Sequence, residues 1–287
     1  MILWQLKIIF MNKLKAVYIA GVARSGTSWL GQIFNSSPDV IFKFQPLFSY
    51  ELKNRVNEDS SNQEFNDLLT DMATKNSEFL NQNQKIESKE YPDFKKNKSP
   101  THIVFKENRY QNIIEPMMRK VDNLKLLGII RNPNACLNSW MKLPKEFPEG
   151  SKPLEEWRYG DCKNNGHEDF FGYYKWKEVA NLYLDLNNKW PDRVCVISYE
   201  DIVSNPILKV TEIFHFFGIP FNNQTASFLK DSMSKHVDSP YSVFKGKLVL
   251  NQWKSELDPY ITNEIKADLT GTRLERFLQD QTLLKEL

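Results

Sequence analysis

Cysteine is scarce in this chain: three among 287 residues, at Cys136, Cys162 and Cys195. An odd, widely spaced set with no Cys-x-x-Cys pair and no Cys/His metal spacing excludes a disulfide framework and a zinc site. Buried free thiols in a reducing cytoplasm are the expectation. Excess charge is missing too. Lys+Arg 38 against Asp+Glu 36 leaves a formal net charge of +2, which argues against a general binder of nucleic acid polymers. Any basic site must be local. Long hydrophobic runs are also absent. The apolar stretch at residues 1–10 is too short to span a bilayer and has no small-residue cleavage site. Met11 offers a second start, with residues 1–10 then a dispensable extension.

A full core is present. Hydrophobic residues at 41% and aromatics at 13% suffice for a domain of this length. Strand-like and helix-like segments alternate, which predicts a single α/β domain with a mainly parallel sheet flanked by helices. Strands are expected at 16–20, 40–44, 102–106, 125–130 and 193–198, and helices at 27–35, 110–120, 133–141, 169–188 and 206–217. The run Leu126-Leu127-Gly128-Ile129-Ile130 reads as a strand covered on both faces. For the last helix, Asn205 is the expected cap, Pro206 suits the first turn and Gly218 suits a left-handed end. Residues 1–14 form an N-terminal extension. Segments 46–99 and 142–168 interrupt the alternation and are expected to lie over the sheet's carboxyl edge, where α/β ligands bind.

The most informative stretch is Gly21-Val22-Ala23-Arg24-Ser25-Gly26-Thr27-Ser28-Trp29, between the first strand and the first helix. Its glycines permit a tight turn that aims backbone N–H groups and a helix N-terminus at one phosphate-sized anion. The spacing nearly matches Gly-x4-Gly-Lys-[Ser/Thr], but Thr27 stands at the lysine position and the cation, Arg24, sits inside the loop. A second motif runs from Gly128 through Ile130-Arg131-Asn132-Pro133 to Ser139-Trp140. It places an arginine at a strand end and a hydroxyl about two turns into the next helix, a fit for a second phosphate.

Taken together, these motifs resemble sulfotransferases that use 3′-phosphoadenosine 5′-phosphosulfate (PAPS). The resemblance covers roughly residues 15–45, 100–141 and 170–255, and the 24–40 stretch is most similar to carbohydrate sulfotransferases. It implies a P-loop-like nucleotide-binding architecture. It also implies that Arg24, Ser25, Gly26, Thr27, Ser28 and Trp29 hold the 5′-phosphosulfate and adenine, and that Arg131 and Ser139 hold the 3′-phosphate. Tyr199 is placed near adenine, and Lys245, Gly246 and Lys247 loosely match the family's C-terminal cofactor loop. The acceptor implied is a hydroxyl, on a sugar or glycan, with no metal required.

The chain departs from the family at Gln45, where related enzymes often carry a glutamate proposed as the base. An amide takes no proton at neutral pH, so Gln45 is left to orient the acceptor. Glu107 is the first candidate for the base, His102 the second, and His167 a third if its loop folds over the site. Arg24 is the expected stabiliser of leaving-group charge. Phe48, Tyr50, Trp157 and Tyr159 either stack on sugar rings or pack. Two other readings stand beside the first: a nucleotide or small-molecule kinase, and a nucleotide-binding module of sulfotransferase fold that has lost its base.

Overall fold

The computed structural model describes residues 14–235, 237, 242–244 and 250–278. The alternative start at Met11 and the Lys245-Gly246-Lys247 loop lie outside the described residues. Five strands, β1 (Lys15–Ala20), β2 (Val40–Phe44), β3 (His102–Glu107), β4 (Leu124–Ile130) and β5 (Val194–Ser198), pair in the order β2-β3-β1-β4-β5. Every pairing is parallel. Both faces are covered, which explains the unbroken apolar runs. On one face, Val17 and Ile19 of β1 pack with Leu30, Ile33 and Phe34 of α1 (Thr27–Asn35). On the other, Tyr18, Phe105 and Leu126 meet α2 (Asn62–Thr74), α3 (Ile114–Lys120), α4 (Pro133–Met141) and α5 (Tyr173–Lys189).

Helix boundaries follow local chemistry. Asn132 caps α4 by accepting from the Asn134 N–H, and Pro133 opens the helix. Two short helices, α6 (Tyr199–Ser204) and α7 (Pro206–Phe217), share Asn205. Its N–H already closes α6 on the Asp201 carbonyl at 3.3 Å, and its side chain makes no cap bond, contrary to expectation. Gly218 ends α7 in the left-handed region at φ 73°. The expected helix at 110–120 begins instead with a 3-10 turn at Gln111–Ile113, and the one expected at 169–188 starts at Tyr173, after Gly172. The remaining elements used below are α8 (Asn223–Ser234) and α9 (Pro259–Leu269).

The two insertions are built into the body. Segment 46–99 carries α2 and then returns along α1, where Lys96 donates to the Ser37 and Val40 carbonyls at 3.1 and 3.0 Å. Phe94 meets Phe228 of α8 edge-on at 5.3 Å. Arg109 joins the two insertions, pairing with Glu168 at 3.6 Å and with the adjacent Asp169 while its guanidinium covers the Phe48 ring at 4.9 Å.

Gly128 of β4 lies under the ring of Tyr183 on α5, and a Cβ there would sit 2.7 Å from Tyr183 Cδ2. Tyr183 is held by a 2.6 Å bond to Gln111, so it cannot yield freely. Gly128→Ala is expected to destabilise the fold by roughly 1–3 kcal/mol, the usual cost of overpacking. The urea midpoint, at unchanged slope, measures it.

Candidate functional site

At the carboxyl edge of the sheet, the loop after β1 is folded around its own groups. Ser25 is fully buried, and its hydroxyl donates to the Val22 carbonyl at 2.7 Å. Its N–H is also spent on Val22 O, at 3.2 Å. Ser25, expected at the cofactor, thus serves as an internal brace of the loop in this structure. Arg24 adopts φ 70° and Gly26 φ 92°. For Arg24 this left-handed backbone is strained. It turns the Arg24 carbonyl to accept from Arg131 Nη1 at 2.9 Å. The Arg24 side chain reaches α4 instead, where Nε donates to Ser139 Oγ at 3.0 Å.

Gly26 caps α1 without any side-chain bond, and α1 has no acidic residue in its first turn. Its leading N–H groups and helix dipole are thus left for an anion. Gly26 also lies against the Tyr199 ring, where a Cβ would sit 2.4 Å from Cδ2. Thr27 donates its hydroxyl to Asn108 Oδ1 at 2.7 Å. Trp29 is buried, donates to Ser232 of α8 at 2.9 Å and meets Tyr199 edge-on at 6.0 Å.

The second anion position is equally built. Arg131 leaves the end of β4 with its carbonyl fixed by the Trp176 indole at 2.9 Å. Its guanidinium stacks over Tyr199 at 4.7 Å. Tyr199 is 6% exposed, so it acts chiefly as a platform for Arg131 and Gly26. Arg131 Nε is buried and has no hydrogen-bond partner. An unsatisfied buried donor on a cation is expensive.

These groups wall one cavity of about 650 Å³ that holds Arg24, Gly26, Thr27, Ser28, Trp29, Arg131, Ser139 and Tyr199 together with Gln45, Lys106 and Asn108. Trp253, from the loosely matched C-terminal motif, closes its rim. A second chamber of about 650 Å³ adjoins it. Phe44, Gln45, Lys85, Asn108 and Glu146 line both chambers. The second one adds Phe48 and Phe79 from the 46–99 insertion, Lys145 and Lys163 from the 142–168 insertion, and Phe170 and Phe171. Of the other aromatics considered, Trp157 is core, and Tyr50 and Tyr159 are solvent-exposed.

The base candidates fare differently. Gln45 lines both chambers from a left-handed backbone at φ 41°, held by its N–H on Lys106 O at 2.7 Å. Glu107, the first candidate, is wholly buried and belongs to neither chamber's wall. Its carboxylate accepts from the N–H of Leu47 at 3.2 Å and of Asn108 at 3.1 Å, tying down the turns that follow β2 and β3. Burial pushes its carboxyl above the usual range, against the pull of Lys106 and these N–H donors. His102 stands at the opposite edge of the sheet, with Nε2 at 3.0 Å from the Phe217 carbonyl and burial lowering its pKa. The His167 side chain is 79% exposed beside Glu168, away from both chambers.

Among the wall residues that sequence reasoning missed are Lys106 and Glu146. Lys106 alternates with Glu107 on β3 and faces the cavity, 4.5 Å over the Phe44 ring. Burial drives its pKa below the usual lysine value, with Glu107 and Glu146 opposing that shift. Glu146 comes from the 142–168 insertion. Strand parity puts Lys106 and Glu107 on opposite faces without saying which faces the cavity; for Glu146 the only signal was its place in an insertion expected to wall the site.

An all-parallel five-stranded sheet places Arg24 after β1 and Arg131 at the end of β4, on the wall of one cavity, in a P-loop-like fold. A family model described as "Sulfotransferase domain" matches residues 14–275, and the chain belongs to that family. Carbohydrate sulfotransferase 3 of Tetronarce californica is 26% identical over 136 residues, a stretch covering 43% of this chain and 28% of that protein's length. Among solved structures, mouse sulfotransferase SULT7A1 complexed with PAP aligns with TM-score 0.54 and 14% identity, covering 92% of this chain and 88% of that one. A sulfotransferase from Alicyclobacillus acidocaldarius aligns with TM-score 0.51 and 15% identity, covering 94% and 98%. Membership of this family sets aside the kinase reading. Among the described residues, no helix is long and apolar enough to cross a membrane.

Because Gly26 combines a positive φ with contact on Tyr199, Gly26→Ala is expected to cost roughly 1–2 kcal/mol from backbone handedness alone. It should also push the loop off the Arg131 platform. Thermal melting and calorimetry with adenosine 3′,5′-bisphosphate should both register the change, the second by a loss of at least about tenfold in affinity.

Proposed function

We propose that this enzyme moves a sulfuryl group from PAPS to a hydroxyl acceptor. The observation that carries the reading is the buried, unpartnered Nε of Arg131, set beside the open N-terminus of α1. Two anion positions in one cavity suit the two separated phosphates of the donor. PAPS supplies an activated sulfuryl group on a phosphate leaving group. Arg131 and Ser139 bind the 3′-phosphate. Arg24, Thr27, Ser28 and the first N–H groups of α1 surround the 5′ end and stabilise charge that builds on the leaving oxygen. Trp29 and Tyr199 flank the adenine. Gln45 orients the acceptor from its position between the chambers.

A carbohydrate is the acceptor favoured by the short likeness to carbohydrate sulfotransferase 3, and the rings of the second chamber offer flat faces to sugar C–H groups. The same five phenylalanines, Phe44, Phe48, Phe79, Phe170 and Phe171, also favour a second reading, a phenol or another apolar alcohol. Turnover of radiolabelled donor with glycans and phenols side by side separates the two. Three free cysteines support a cytoplasmic setting.

Arg24→Ala should lower the transfer rate at least ~100–1000-fold, the scale for removing a charge-stabilising donor, while the melting temperature stays near that of the parent. Adenosine 3′,5′-bisphosphate should raise the melting temperature of the parent enzyme equally with and without a magnesium chelator. A nucleotide-binding module without a base would show that stabilisation and no turnover with any acceptor.

Lys106 makes the binding pH-dependent. Its pKa is lowered in the free protein by burial, and a bound polyanion favours its ammonium form, raising the value again. Between the two values, binding takes up a proton, so affinity falls as pH rises through that window and is flat below it. Calorimetry in two buffers of different ionisation enthalpy measures the uptake, and Lys106→Met should abolish it.

A further inference from the structure

An attacking hydroxyl must lose a proton, and none of the expected bases stands where it can take it. Gln45 is an amide. Glu107 is spent on backbone N–H groups behind the strand. His102 and His167 do not face the chambers. Among the described residues two carboxylates do: Glu78 lines the second chamber alone, and only Glu146 reaches the nucleotide cavity as well. Glu146 lines the nucleotide cavity and the adjoining chamber at once.

Its backbone is anchored from beneath. The indole N–H of Trp140 on α4 donates to the Glu146 carbonyl at 2.8 Å. The Glu146 N–H donates to Leu143 O at 2.9 Å, and the next N–H, of Phe147, reaches the same carbonyl at 2.7 Å. Phe147 packs edge-on against the buried Trp140 ring at 5.1 Å. Ser139, the neighbour of Trp140, bonds Arg24, so one helix end positions both an anion grip and this carboxylate. The side chain is not tied down in the same way: Oε2 is buried without a hydrogen-bond partner. A carboxylate oxygen left unpaired at a junction of two chambers is a cost to folding, of the kind retained where a ligand supplies the missing donor.

We infer that Glu146 is the general base of the transfer, the catalytic carboxylate that takes the place left by Gln45. The inference rests on the proposed sulfuryl transfer. The acceptor's hydroxyl donates to the Glu146 carboxylate at the junction of the chambers. As its oxygen forms the new S–O bond, the S–O bond to the 5′-phosphate breaks and that electron pair stays on the phosphate. The hydroxyl proton passes to the Glu146 carboxylate and then to water. The products are a sulfate ester, adenosine 3′,5′-bisphosphate and one proton. Lys106 stands on the wall of the same cavity, within the field of Glu146.

The test uses the full chain with two probe reactions: release of sulfate from PAPS to water, and transfer to 2-naphthol. Positioned general bases contribute about 10²–10⁴-fold. Glu146→Gln should therefore slow both reactions at least ~100-fold in kcat, with calorimetric affinity for adenosine 3′,5′-bisphosphate unchanged within about threefold (~0.7 kcal/mol) and a melting temperature equal to or above the parent's. Glu146→Ala should regain part of its rate in added formate, which no structural role of the side chain predicts. Unchanged turnover in Glu146→Gln overturns the assignment. So does a loss confined to KM, which makes the carboxylate an acceptor-binding group, and so does a loss of nucleotide affinity. Failure of the parent enzyme itself to take up the bisphosphate instead strikes the sulfuryl-transfer reading.

Discussion

The site depends on one clasp between non-adjacent parts of the chain. Arg131 Nη1 holds the Arg24 carbonyl, and Arg24 Nε holds Ser139. Parallel pairing of β1 with β4 brings the two loops together, with Ala20 opposite Gly128. The clasp then fixes a strained Arg24 backbone that no local preference favours. Each arginine thereby braces the other's segment while keeping part of its own fork for an anion. Loss of either contact would loosen the loop that closes the first anion position.

Beneath the clasp, aromatic platforms turn a flexible loop into a rigid one. Tyr199 supports Arg131 on its ring and Gly26 against its edge. Trp29 meets that ring and is tied to α8. The donors of the cavity are thus oriented before any ligand arrives, which is what transfer chemistry dominated by positioning and charge stabilisation requires. The insertions add the second chamber, and Arg109 locks them to one another.

Much of this was legible in the sequence because it is local. Continuous apolar runs marked all five strands within a residue or so, and α1, α4 and α7 begin and end as their caps, prolines and glycines indicate. Both arginines and Ser139 could be read because strand-end and helix-turn spacing fix where they emerge. What could not be read is direction within a fully buried strand. Lys106 and Glu107 are both buried, so no polar–apolar alternation reported that the lysine faces the ligand and the glutamate faces the turns. Nor does the sequence show that the Ser25 hydroxyl donates within its own loop, to Val22. Asn205 could not serve as a side-chain cap once two helices shared it. Glu146 depends on the packing of Trp140 and Phe147, a tertiary contact without a sequence period.

The central claim is that two separate anion grips share one cavity. Calorimetry comparing adenosine 3′,5′-bisphosphate with adenosine 5′-monophosphate isolates the grip at Arg131. The account predicts at least about tenfold tighter binding of the bisphosphate, ~1.4 kcal/mol, with that preference erased in Arg131→Met. Equal affinity of the parent enzyme for the two nucleotides would contradict it.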